Sequence, residues 1–545
     1  MHEIITGSLA KQIDTYAIGT LGIPSLKLME RAAYEVYVRV KHRAETCGLS
    51  EKARILIFCG TGNNGADGLC AGAMLLSDGY TETEAVIVGD EMKGSEEFRY
   101  QKERFLHAGG RISGETETAQ ETLPEADILV DALFGIGLKR AVTGVFAEAI
   151  ERMNLIRNNS GAYVISVDIP SGIDADHGRN MCAPLLPVHA DETVTFGFAK
   201  TGHYLDYGYG NCGNIMVFDI GYPEGIAAGL SDGRDLLTDT KDVFLEHADA
   251  FFERDARANK GSYLRLLIAA GSEGMAGAAY LSGLSAFRLG IGMVRYLGAE
   301  ANRPVLQTLL PEAMYEVLQE ADADSALRIQ EQIEAGLSWA DIVILGPGLS
   351  QGEGARQLVR SLLEEIAKRN RAADADGGRK PIFAVIDADA LNIIAKERDL
   401  LGLLSEHTVL TPHVGELARL TGHTVQEIKE NFVDTAADFA AQYHTNIIAK
   451  DCVSVAAVWD KEAEKPALHL NLSGSAAMAK AGSGDSLTGM IAGCTAVTGS
   501  FEAAIPAAAY LHGRAGEAAA QKHGIHGILA RELAESIEDV LLNIN

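Results

Sequence analysis

Residues 55–68 read ILIFCGTGNNGADG, an apolar run that passes directly into a glycine-rich loop. The run Ile55–Cys59 has the length and β-branched content of a buried strand, and Leu69–Leu76 follows the loop with helical spacing. A strand, a glycine loop and a helix in this order are typical of a parallel α/β fold. The stretch therefore predicts a parallel sheet covered by helices on both faces.

The same alternation continues along the chain in two blocks, and it is interrupted by an irregular connector between about Gly221 and Asp255. Further helices are predicted over Val145–Ile156, Asp485–Cys494, Phe501–Lys522 and Ala530–Leu542. Further strands are predicted over Ala85–Val88, Ile128–Val130, Val164–Val167, Thr193–Phe196 and Ile215–Phe218 in the first block, and over Leu264–Ala270, Met293–Leu297, Ile342–Leu345, Ile382–Ile386, Thr408–Leu410, Ile447–Ala449 and Val453–Val458 in the second. Two α/β domains are expected.

The chain has 545 residues and a formal net charge of −28, from 75 acidic and 47 basic residues. A field of this sign repels nucleic acid and anionic membranes, so neither is expected as a partner. It does not exclude nucleotides, because backbone N–H groups and helix N-termini bind small phosphates inside an acidic protein. The seven cysteines form no Cys-x-x-Cys pair, no signal peptide opens the sequence, and no apolar run is long enough to span a bilayer. These features predict a cytoplasmic protein.

The glycine loop carries side chains that a bare phosphate-binding loop does not need, namely Asn63, Asn64 and Asp67. Two further carboxylates, Asp131 and Asp168, directly follow predicted strands. In open parallel sheets, ligands bind beyond the carboxyl ends of the strands. Asp67, Asp131 and Asp168 are therefore expected to converge on one crevice.

Clustered carboxylates must share a cation or raise one pKa. Asn64, Asp131 and Ser171 together offer the all-oxygen ligands that suit a hard cation. One alternative is that the carboxylates only cap turns and helices at strand ends. Another is a dinucleotide-binding dehydrogenase site, because the loop also satisfies G-x-G-x-x-G and Glu84 or Asp90 could bind a ribose.

The second block has no Walker-type G-x-x-x-x-G-K-[ST], but residues 481–489, AGSGDSLTG, open an apolar helix. Glycine backbone at a helix N-terminus can form an anion hole for a transferring phosphoryl group, and Asp485 can act as a base toward a hydroxyl. The alternative is that Asp485 is a helix N-cap. His413 and Glu416 stand three apart, but the lack of a further ligand argues against zinc. Further small-residue loops after strands, expected to build the same crevice, cover 270–279, 346–349, 387–392 and 411–416.

Five stretches of the first block resemble the NAD(P)H-hydrate epimerase domain. They are IDTYAIGTLGIPSLKLMERAA (13–33), GTGNNGADGL (60–69), DALFGIGL (131–138), VDIPSGID (167–174) and TVTFGFAKTGHY (193–204), in the family's order over almost all of residues 1–220. The resemblance implies epimerisation at C6 of the hydrated nicotinamide ring, with potassium bound nearby. The family loop usually reads NNGGDG, so the methyl group of Ala66 is expected to narrow the pocket or to exclude a positive φ.

The resemblance also implies site residues. Asp168 would be catalytic, and the potassium ligands would be Asn64, Asp131 and Ser171. The hydrate would be bound by Asn63, Asn64, Gly65, Ala66, Asp67, Gly135, Ile136, Gly137, Leu138, Lys139, Arg140, Ala141 and Asp168.

The second block resembles the NAD(P)H-hydrate dehydratase domain of the ribokinase-like group. The matching stretches are KGSYLRLLIAAGSEGMAGAAYLSG (260–283), LGPGL (345–349), DADALN (387–392), LTPHVGE (410–416), IIAKD (447–451) and MAKAGSGDSLTG (478–489). The resemblance implies that ADP or ATP, with Mg²⁺, phosphorylates the hydrate hydroxyl, and that phosphate then leaves. Asp485 would be the catalytic carboxylate. The hydrate would also contact Ala278, Gly348 and His413, and the nucleotide would contact Lys450, Asp451, Cys452, Val453, Ser454 and Gly484.

The sequence thus predicts an α/β protein with an N-terminal Rossmann-like three-layer sandwich (1–222), a linker (223–250) and a C-terminal ribokinase-like α/β domain (251–545). The expected function is repair of hydrated NADH and NADPH by epimerisation followed by ADP- or ATP-dependent dehydration. A homo-oligomer is expected only by resemblance. The alternatives are a small-molecule kinase of ribokinase type, a non-catalytic first half, and a NAD-dependent dehydrogenase.

Overall fold

The computed structural model describes residues 3–114, 124–318, 325–376 and 380–543. The chain divides into two compact units, one that ends at Leu236 and one that begins at Leu237. No helix among the described residues is both long enough and apolar enough to cross a membrane.

The first unit contains nine strands and seven α-helices in the part of the chain that is described. In chain order they are β1 (Glu3–Ile5), α1 (Gly7–Gly19), α2 (Ser25–Thr46), β2 (Ile55–Cys59), α3 (Asn63–Ser77), β3 (Thr83–Ile87), α4 (Glu96–His107), β4 (Arg111–Gly114), β5 (Ile128–Ala132), α5 (Val145–Ser160), β6 (Tyr163–Val167), β7 (Glu192–Phe196), β8 (Ala199–Lys200), α6 (Asp206–Asn211), β9 (Asn214–Phe218) and α7 (Ile226–Leu230).

Seven of these strands form a parallel sheet in the order β4-β3-β2-β5-β6-β7-β9. Successive side chains of β2 point to opposite faces, so that Ile57 packs in the core under α2, α3 and α4, and Phe58 in the core under α5. Both faces are therefore covered, which explains why all five residues of β2 are apolar and buried. The predicted three-layer, Rossmann-like arrangement is confirmed.

The order of the strands reverses between β2 and β5, which are hydrogen-bonded neighbours. Such a switch point leaves a crevice beyond the carboxyl ends of the two strands, because their connections run to opposite sides. A Cβ on Gly65, in the first turn of α3, would lie 1.8 Å from the carbonyl oxygen of Gly60. Glycine at this position therefore allows the helix to start directly over the end of β2.

The second unit continues the alternation. Its elements are β10 (Leu236–Asp239), α8 (Thr240–Glu246), α9 (Ala248–Phe252), β11 (Arg265–Ala269), α10 (Ala276–Arg288), β12 (Met293–Gly298), α11 (Arg303–Leu309), β13 (Met314–Val317), α12 (Ser325–Trp339), β14 (Ile342–Leu345), α13 (Glu353–Asp376), β15 (Phe383–Ile386), α14 (Asp389–Lys396), β16 (Thr408–Leu410), α15 (Val414–Thr421), α16 (Val425–Glu430), α17 (Phe432–Tyr443), β17 (Asn446–Ala449), β18 (Ser454–Asp460), β19 (Lys465–Asn471), α18 (Ser483–Thr498), α19 (Phe501–His523), α20 (Ala530–Glu535) and α21 (Ile537–Leu542).

The strands of this unit are ordered β13-β12-β11-β14-β15-β16-β17-β18-β19-β10. The pairs from β13 to β17 are parallel, whereas β17, β18 and β19 pair antiparallel to one another. Alternate residues of the central strands pack with α18 and α19, which are apolar over most of their length. The predicted α/β class is confirmed, with an antiparallel segment, β17 to β19, that the sequence did not predict.

Two local expectations were wrong. The segment predicted as one helix over Ala530–Leu542 is two helices, separated at the buried Ser536. The irregular connector contains four regular elements, α7, β10, α8 and α9. The fully buried Phe244 of α8 packs in the core of the second unit. The domain limits 1–222 and 251–545 stay predictions.

Candidate active sites

The first unit has a cavity of about 520 Å³ beyond the carboxyl ends of β2, β5 and β6. It is therefore placed at the switch point of the sheet, where a ligand site is expected. The residues of the predicted site that line it are Asn63, Asn64, Asp67, Gly135, Ile136, Gly137, Leu138 and Asp168. The sequence did not single out Asp14, Lys200 and Tyr222, which line it as well.

Asp168 is nine-tenths buried at the wall of this cavity and has a φ of +69°. Its Oδ1 accepts hydrogen bonds from Lys200 Nζ at 2.7 Å and from Thr195 Oγ1 at 3.1 Å, and its Oδ2 accepts one from the backbone N–H of Ile136 at 3.2 Å. Burial raises the pKa of Asp168, but the charge and hydrogen bond of Lys200 outweigh it and hold the pKa below its ordinary value. Asp168 is thus kept ionised.

The loop that carries Lys200 is fixed to Asp168 by His203. The backbone N–H of Lys200 donates to His203 Nδ1 at 3.0 Å, which leaves the proton on Nε2, and Nε2 donates to the carbonyl oxygen of Asp168 at 2.8 Å. Burial and the nearby ammonium lower the pKa of His203 to about 4. His203 is therefore a neutral link that holds Lys200 against the carboxylate.

Asp67 lines the same cavity as Asp168, but its pKa is shifted in the opposite direction. Burial raises its pKa well above the ordinary value, and the charges of Asp168 and Asp14 act in the same direction. Asp67 Oδ1 and Asn64 Nδ2 are shielded from solvent and have no hydrogen-bond partner among the described residues. Unsatisfied polar atoms on a cavity wall are typical of a ligand site, because a ligand can complete their hydrogen bonds.

Gly135 lies between two of these polar groups. A Cβ there would approach Asp168 Oδ2 to 2.9 Å and Asn64 Oδ1 to 3.1 Å. The absence of a side chain keeps the two oxygens accessible from one point of the cavity. A substrate atom at that point can contact both.

Asp131 does not line the cavity, whereas Asp67 and Asp168 do. The prediction that all three carboxylates converge on one crevice is therefore wrong for Asp131. It is completely buried, and its carboxylate accepts hydrogen bonds from Ser171 N (2.7 Å), Ser171 Oγ (2.6 Å) and Ser166 Oγ (2.9 Å). These donors are neutral, and burial raises the pKa of Asp131 in spite of them. Its contacts to the turn agree with the alternative that strand-end carboxylates cap turns, although they leave its negative charge uncompensated.

Five residues of the predicted hydrate site do not line the cavity. Gly65 and Ala66 are buried within α3, where Ala66 has helical geometry and its methyl group packs in the core. The departure from the family's glycine therefore neither narrows the pocket nor excludes a positive φ. Lys139, Arg140 and Ala141 are exposed, and Lys139 Nζ pairs with Asp176 at 2.5 Å.

In the second unit, Asp485 lies in the first turn of α18. The N-cap is Gly482, with a φ of +95°, so the alternative that Asp485 is the cap is wrong. Burial raises the pKa of Asp485 to about 6, and the negative charge of Asp387 contributes while Lys450 opposes. A carboxyl with this pKa is suited to proton transfer near neutral pH.

Lys450 and Asp387 lie beside this turn and form a salt bridge of 3.0 Å between Nζ and Oδ1. A Cβ on Gly484 would lie 3.1 Å from Lys450 Nζ and 3.4 Å from Asp387 Oδ2. The strand-end loops that carry Lys450 and His413 are paired, since the N–H of Lys450 donates to the carbonyl of Pro412. These contacts bring the loops that carry Asp387, Pro412 and Lys450 to the start of α18, where the sequence predicted a crevice.

The other residues predicted for this site lie on neighbouring loops or directly follow Lys450 in the chain. Ala278 and Gly348 adjoin, because a Cβ on Gly348 would lie 3.0 Å from the Cβ of Ala278. Asp451, Cys452, Val453 and Ser454 follow Lys450, and of these only Val453 is buried. His413 is exposed, and Glu416 accepts its backbone N–H in a capping box, so this contact needs no metal.

Two family profiles match the chain. One, described as YjeF-related protein N-terminus, matches residues 25–202, and the other, described as NAD(P)H-hydrate dehydratase, matches residues 266–539. The bifunctional NAD(P)H-hydrate repair enzyme Nnr of Moorella thermoacetica is 33% identical over 99% of this chain and 97% of its own length. The chain belongs to the bifunctional NAD(P)H-hydrate repair enzymes.

Other relatives of this repair enzyme agree. The Nnr of Thermofilum pendens is 33% identical over 97% of each chain. A crystal structure of the ADP/ATP-dependent NAD(P)H-hydrate dehydratase from Bacillus subtilis, co-crystallised with ATP and Mg²⁺, is 31% identical over 55% of this chain and 97% of its own, with a TM-score of 0.44. The two family profiles and the full-length relatives confirm the predicted pairing of an epimerase with a dehydratase.

Because the chain belongs to the NAD(P)H-hydrate repair enzymes, the alternatives of a ribokinase-type small-molecule kinase and of a NAD-dependent dehydrogenase are wrong. The structure also gives other partners to the two candidate ribose ligands. Glu84 pairs with Arg111 at 2.8 Å, and Asp90 caps a turn through the N–H of Met92.

Proposed function

We propose that the cavity of the first unit exchanges the R and S epimers of hydrated NADH and NADPH through Asp168, and that the crevice around Asp485 dehydrates the S epimer with ADP or ATP. The proposal is carried by one observation: the same cavity is lined by Asp168, whose pKa Lys200 lowers, and by Asp67, whose pKa burial raises. Groups whose environments drive their pKa values apart are typical of acid–base sites. Incubation of both hydrate epimers with ADP or ATP, followed by NADH absorbance and released phosphate, tests the whole sequence.

The epimerisation needs a base that is available at the cavity wall. C6 of the hydrate bears both a hydroxyl and the ring nitrogen, so the nitrogen lone pair can expel the hydroxyl once it is protonated. Water then adds to the other face of C6, and a base must accept one of its protons. Ionised Asp168 fits this role, because Lys200 stabilises its charge and Ile136 N–H orients Oδ2.

We further propose that Asn64, Asp131 and Ser171 hold a potassium ion. The donor set fits, because all ligand atoms are oxygens and the buried Asp131 carries a charge that its neutral hydrogen-bond donors do not compensate. When bound, potassium would supply this compensating charge beneath the cavity. Ser171 Oγ also accepts the N–H of Phe134 at 3.0 Å, so a bound ion would contact the segment after β6 that is hydrogen-bonded to the segment after β5.

Potassium is expected to stabilise the first unit. Exchange of choline for potassium at constant ionic strength, with potassium at about 100 times its Kd, should stabilise that unit by about 2.7 kcal/mol, which corresponds to a rise of roughly 5–10 °C in its unfolding midpoint. Asp131→Asn removes the charge and should abolish this rise. The rate of epimer exchange should likewise rise with potassium in the wild type and not in Asp131→Asn. An equal rise in Asp131→Asn, measured by calorimetry, would contradict the assignment.

The dehydration is assigned to Asp485 and the N-terminus of α18. Asp485 accepts the proton of the hydrate hydroxyl as that oxygen attacks the terminal phosphorus of the nucleotide. The bond from this phosphorus to its bridging oxygen breaks, and AMP (from ADP) or ADP (from ATP) leaves. Backbone N–H groups at the helix N-terminus stabilise the charge on the transferring group. Phosphate then leaves C6 while C5 loses a proton, which restores the C5=C6 bond of the reduced nicotinamide.

Magnesium, when bound with the nucleotide, would neutralise charge on its phosphates. Carboxylate oxygens are the ligands that Mg²⁺ prefers, and Asp387 offers Oδ2 next to Gly484, while its Oδ1 binds Lys450. Lys450 would lie beside the phosphates at the same helix N-terminus. The preference for ADP or ATP, the homo-oligomer and the cytoplasmic location stay predictions.

Dehydration is expected to fall with pH below about 6, because protonation removes the base at Asp485. Asp387→Asn deletes a negative charge that raises the pKa of Asp485, so the acid limb of kcat/KM should move to lower pH. Exchange should not share this limb, since the pKa of Asp168 is depressed. Initial rates of both reactions between pH 5 and 8 measure this. If the acid limb of kcat/KM lies at the same pH in Asp387→Asn as in the wild type, the charge of Asp387 does not raise the pKa of Asp485.

A further inference from the structure

We propose that Asp14 is the second catalytic residue of the epimerase site, the acid that protonates the departing C6 hydroxyl, and that Tyr222 positions it. The proposal rests on the epimerase function proposed above and deepens it. Asp14 lies on α1, and Tyr222 follows β9, so the two come from segments far apart in the chain. Both line the cavity that Asp168 lines.

Epimerisation without a redox change requires two proton-transfer groups. One must protonate the hydroxyl that leaves C6 as water, and the other must deprotonate the water that adds to the opposite face. In the reverse direction the two groups exchange roles, by microscopic reversibility. Asp168 satisfies only one of these requirements, because Lys200 holds it in the ionised form.

The contacts of Asp14 suit the other role. The Tyr222 hydroxyl donates a hydrogen bond to Asp14 Oδ1, and this leaves Oδ2 for the proton. Tyr222 itself is held by stacking on Phe198, at 6.2 Å between ring centroids and an interplanar angle of 11°. The carboxyl is therefore oriented by a fixed partner at the cavity wall.

The surroundings of Asp14 act on its pKa in both directions, with a net rise above the ordinary value. Burial raises its pKa, whereas the Tyr222 hydrogen bond and the Lys200 charge lower it and the Asp168 charge raises it. Asp67, by contrast, has a pKa raised well above its ordinary value, and one of its oxygens has no partner in the described chain. The titratable or charged groups that line the cavity are Lys11, Asp14, Asp67, Asp168, Lys200 and Tyr222.

The step balances as follows. The Asp14 proton joins the hydroxyl as the C6–O bond breaks and the nitrogen lone pair forms the C6=N1 bond, which releases water. A second water forms a new C6–O bond on the other face, the C6=N1 pair returns to nitrogen, and Asp168 takes the proton. Asp14 is then ionised and Asp168 protonated, and the starting state returns by proton exchange with solvent.

The test measures exchange between the two hydrate epimers in the full-length protein, with no nucleotide present. Asp14→Asn should lower kcat for exchange by about 100-fold or more, since a positioned proton donor contributes about 10²–10⁴-fold. Asp14→Glu should restore part of it. Thr15→Ala is the control, because Thr15 is exposed on the same helix and its hydroxyl donates to the carbonyl of Lys11 within that helix.

Tyr222→Phe separates the positioning role from a structural one and serves if Asp14→Asn does not fold. Loss of the hydroxyl should raise the pKa of Asp14, so exchange should persist to higher pH than in the wild type. Exchange in Asp14→Asn within about threefold of wild type, or an unshifted alkaline limb in Tyr222→Phe, would overturn the inference. Absence of exchange in the wild type would instead refute the epimerase function itself.

Discussion

Asp485→Asn is expected to abolish dehydration while epimer exchange continues at the wild-type rate. The amide has nearly the same shape as the carboxyl but cannot accept the hydroxyl proton, and loss of a general base lowers the rate by about 10²–10⁴-fold. The helix N-terminus remains intact, because the cap is Gly482 and not Asp485. Nucleotide binding should therefore survive the change.

The measurement combines two readouts on the same sample. NADH absorbance reports dehydration, and separation of the epimers reports exchange. Asp460→Asn is a matched control, since Asp460 is exposed and accepts turn N–H groups that an amide oxygen also accepts. If Asp485→Asn also stopped exchange while its unfolding midpoint stayed unchanged, the assignment of one reaction to each unit would be wrong.

Asp168→Asn is expected to produce the converse result. The S epimer should be consumed, and the R epimer should remain over the time in which the wild type consumes both. Exchange should fall by about 10²–10⁴-fold, because the ionised base is lost. This outcome would also exclude the alternative that the first half is a non-catalytic module.

The same change has a structural consequence that the experiment must separate from catalysis. Lys200 is 3% exposed and would lose its anionic partner, and an uncompensated buried charge destabilises by about 3–5 kcal/mol. Lys200→Met in the Asp168→Asn background removes that charge and should recover part of the lost stability without recovering exchange. Recovery of exchange in this double variant would show that Asp168 acts only through folding.

The sequence predicted the strands well because most of them are buried on both faces. β14 and β16 have the predicted bounds, as does β2, since apolar runs of this length end where polar loops begin. β19 was missed, because its burial alternates and Pro466 lies within it. β13 was missed because it is a short edge strand with no fully buried residue.

The candidate sites were predicted only where a motif carried them. Asp485 and Asp168 stand in recognisable loops, whereas Asp14 and Tyr222 are 208 positions apart and meet only in the folded unit. Lys200 lies in residues 193–204, which resemble the epimerase family, but nothing in its spacing indicated that it pairs with Asp168. Asp387, likewise, is adjacent to Lys450 only because parallel strands end at one edge of the sheet.

The positive φ of Asp168 restricts how this position can change in evolution. Few side chains other than asparagine and aspartate adopt that backbone region without strain, and glycine would bring no carboxylate. A lineage released from the need for epimer exchange would therefore reach asparagine with least disturbance of the backbone. Its descendants would keep a full-length chain whose first half has no epimerase activity. The loss would be detected only as accumulation of the R epimer in the cell.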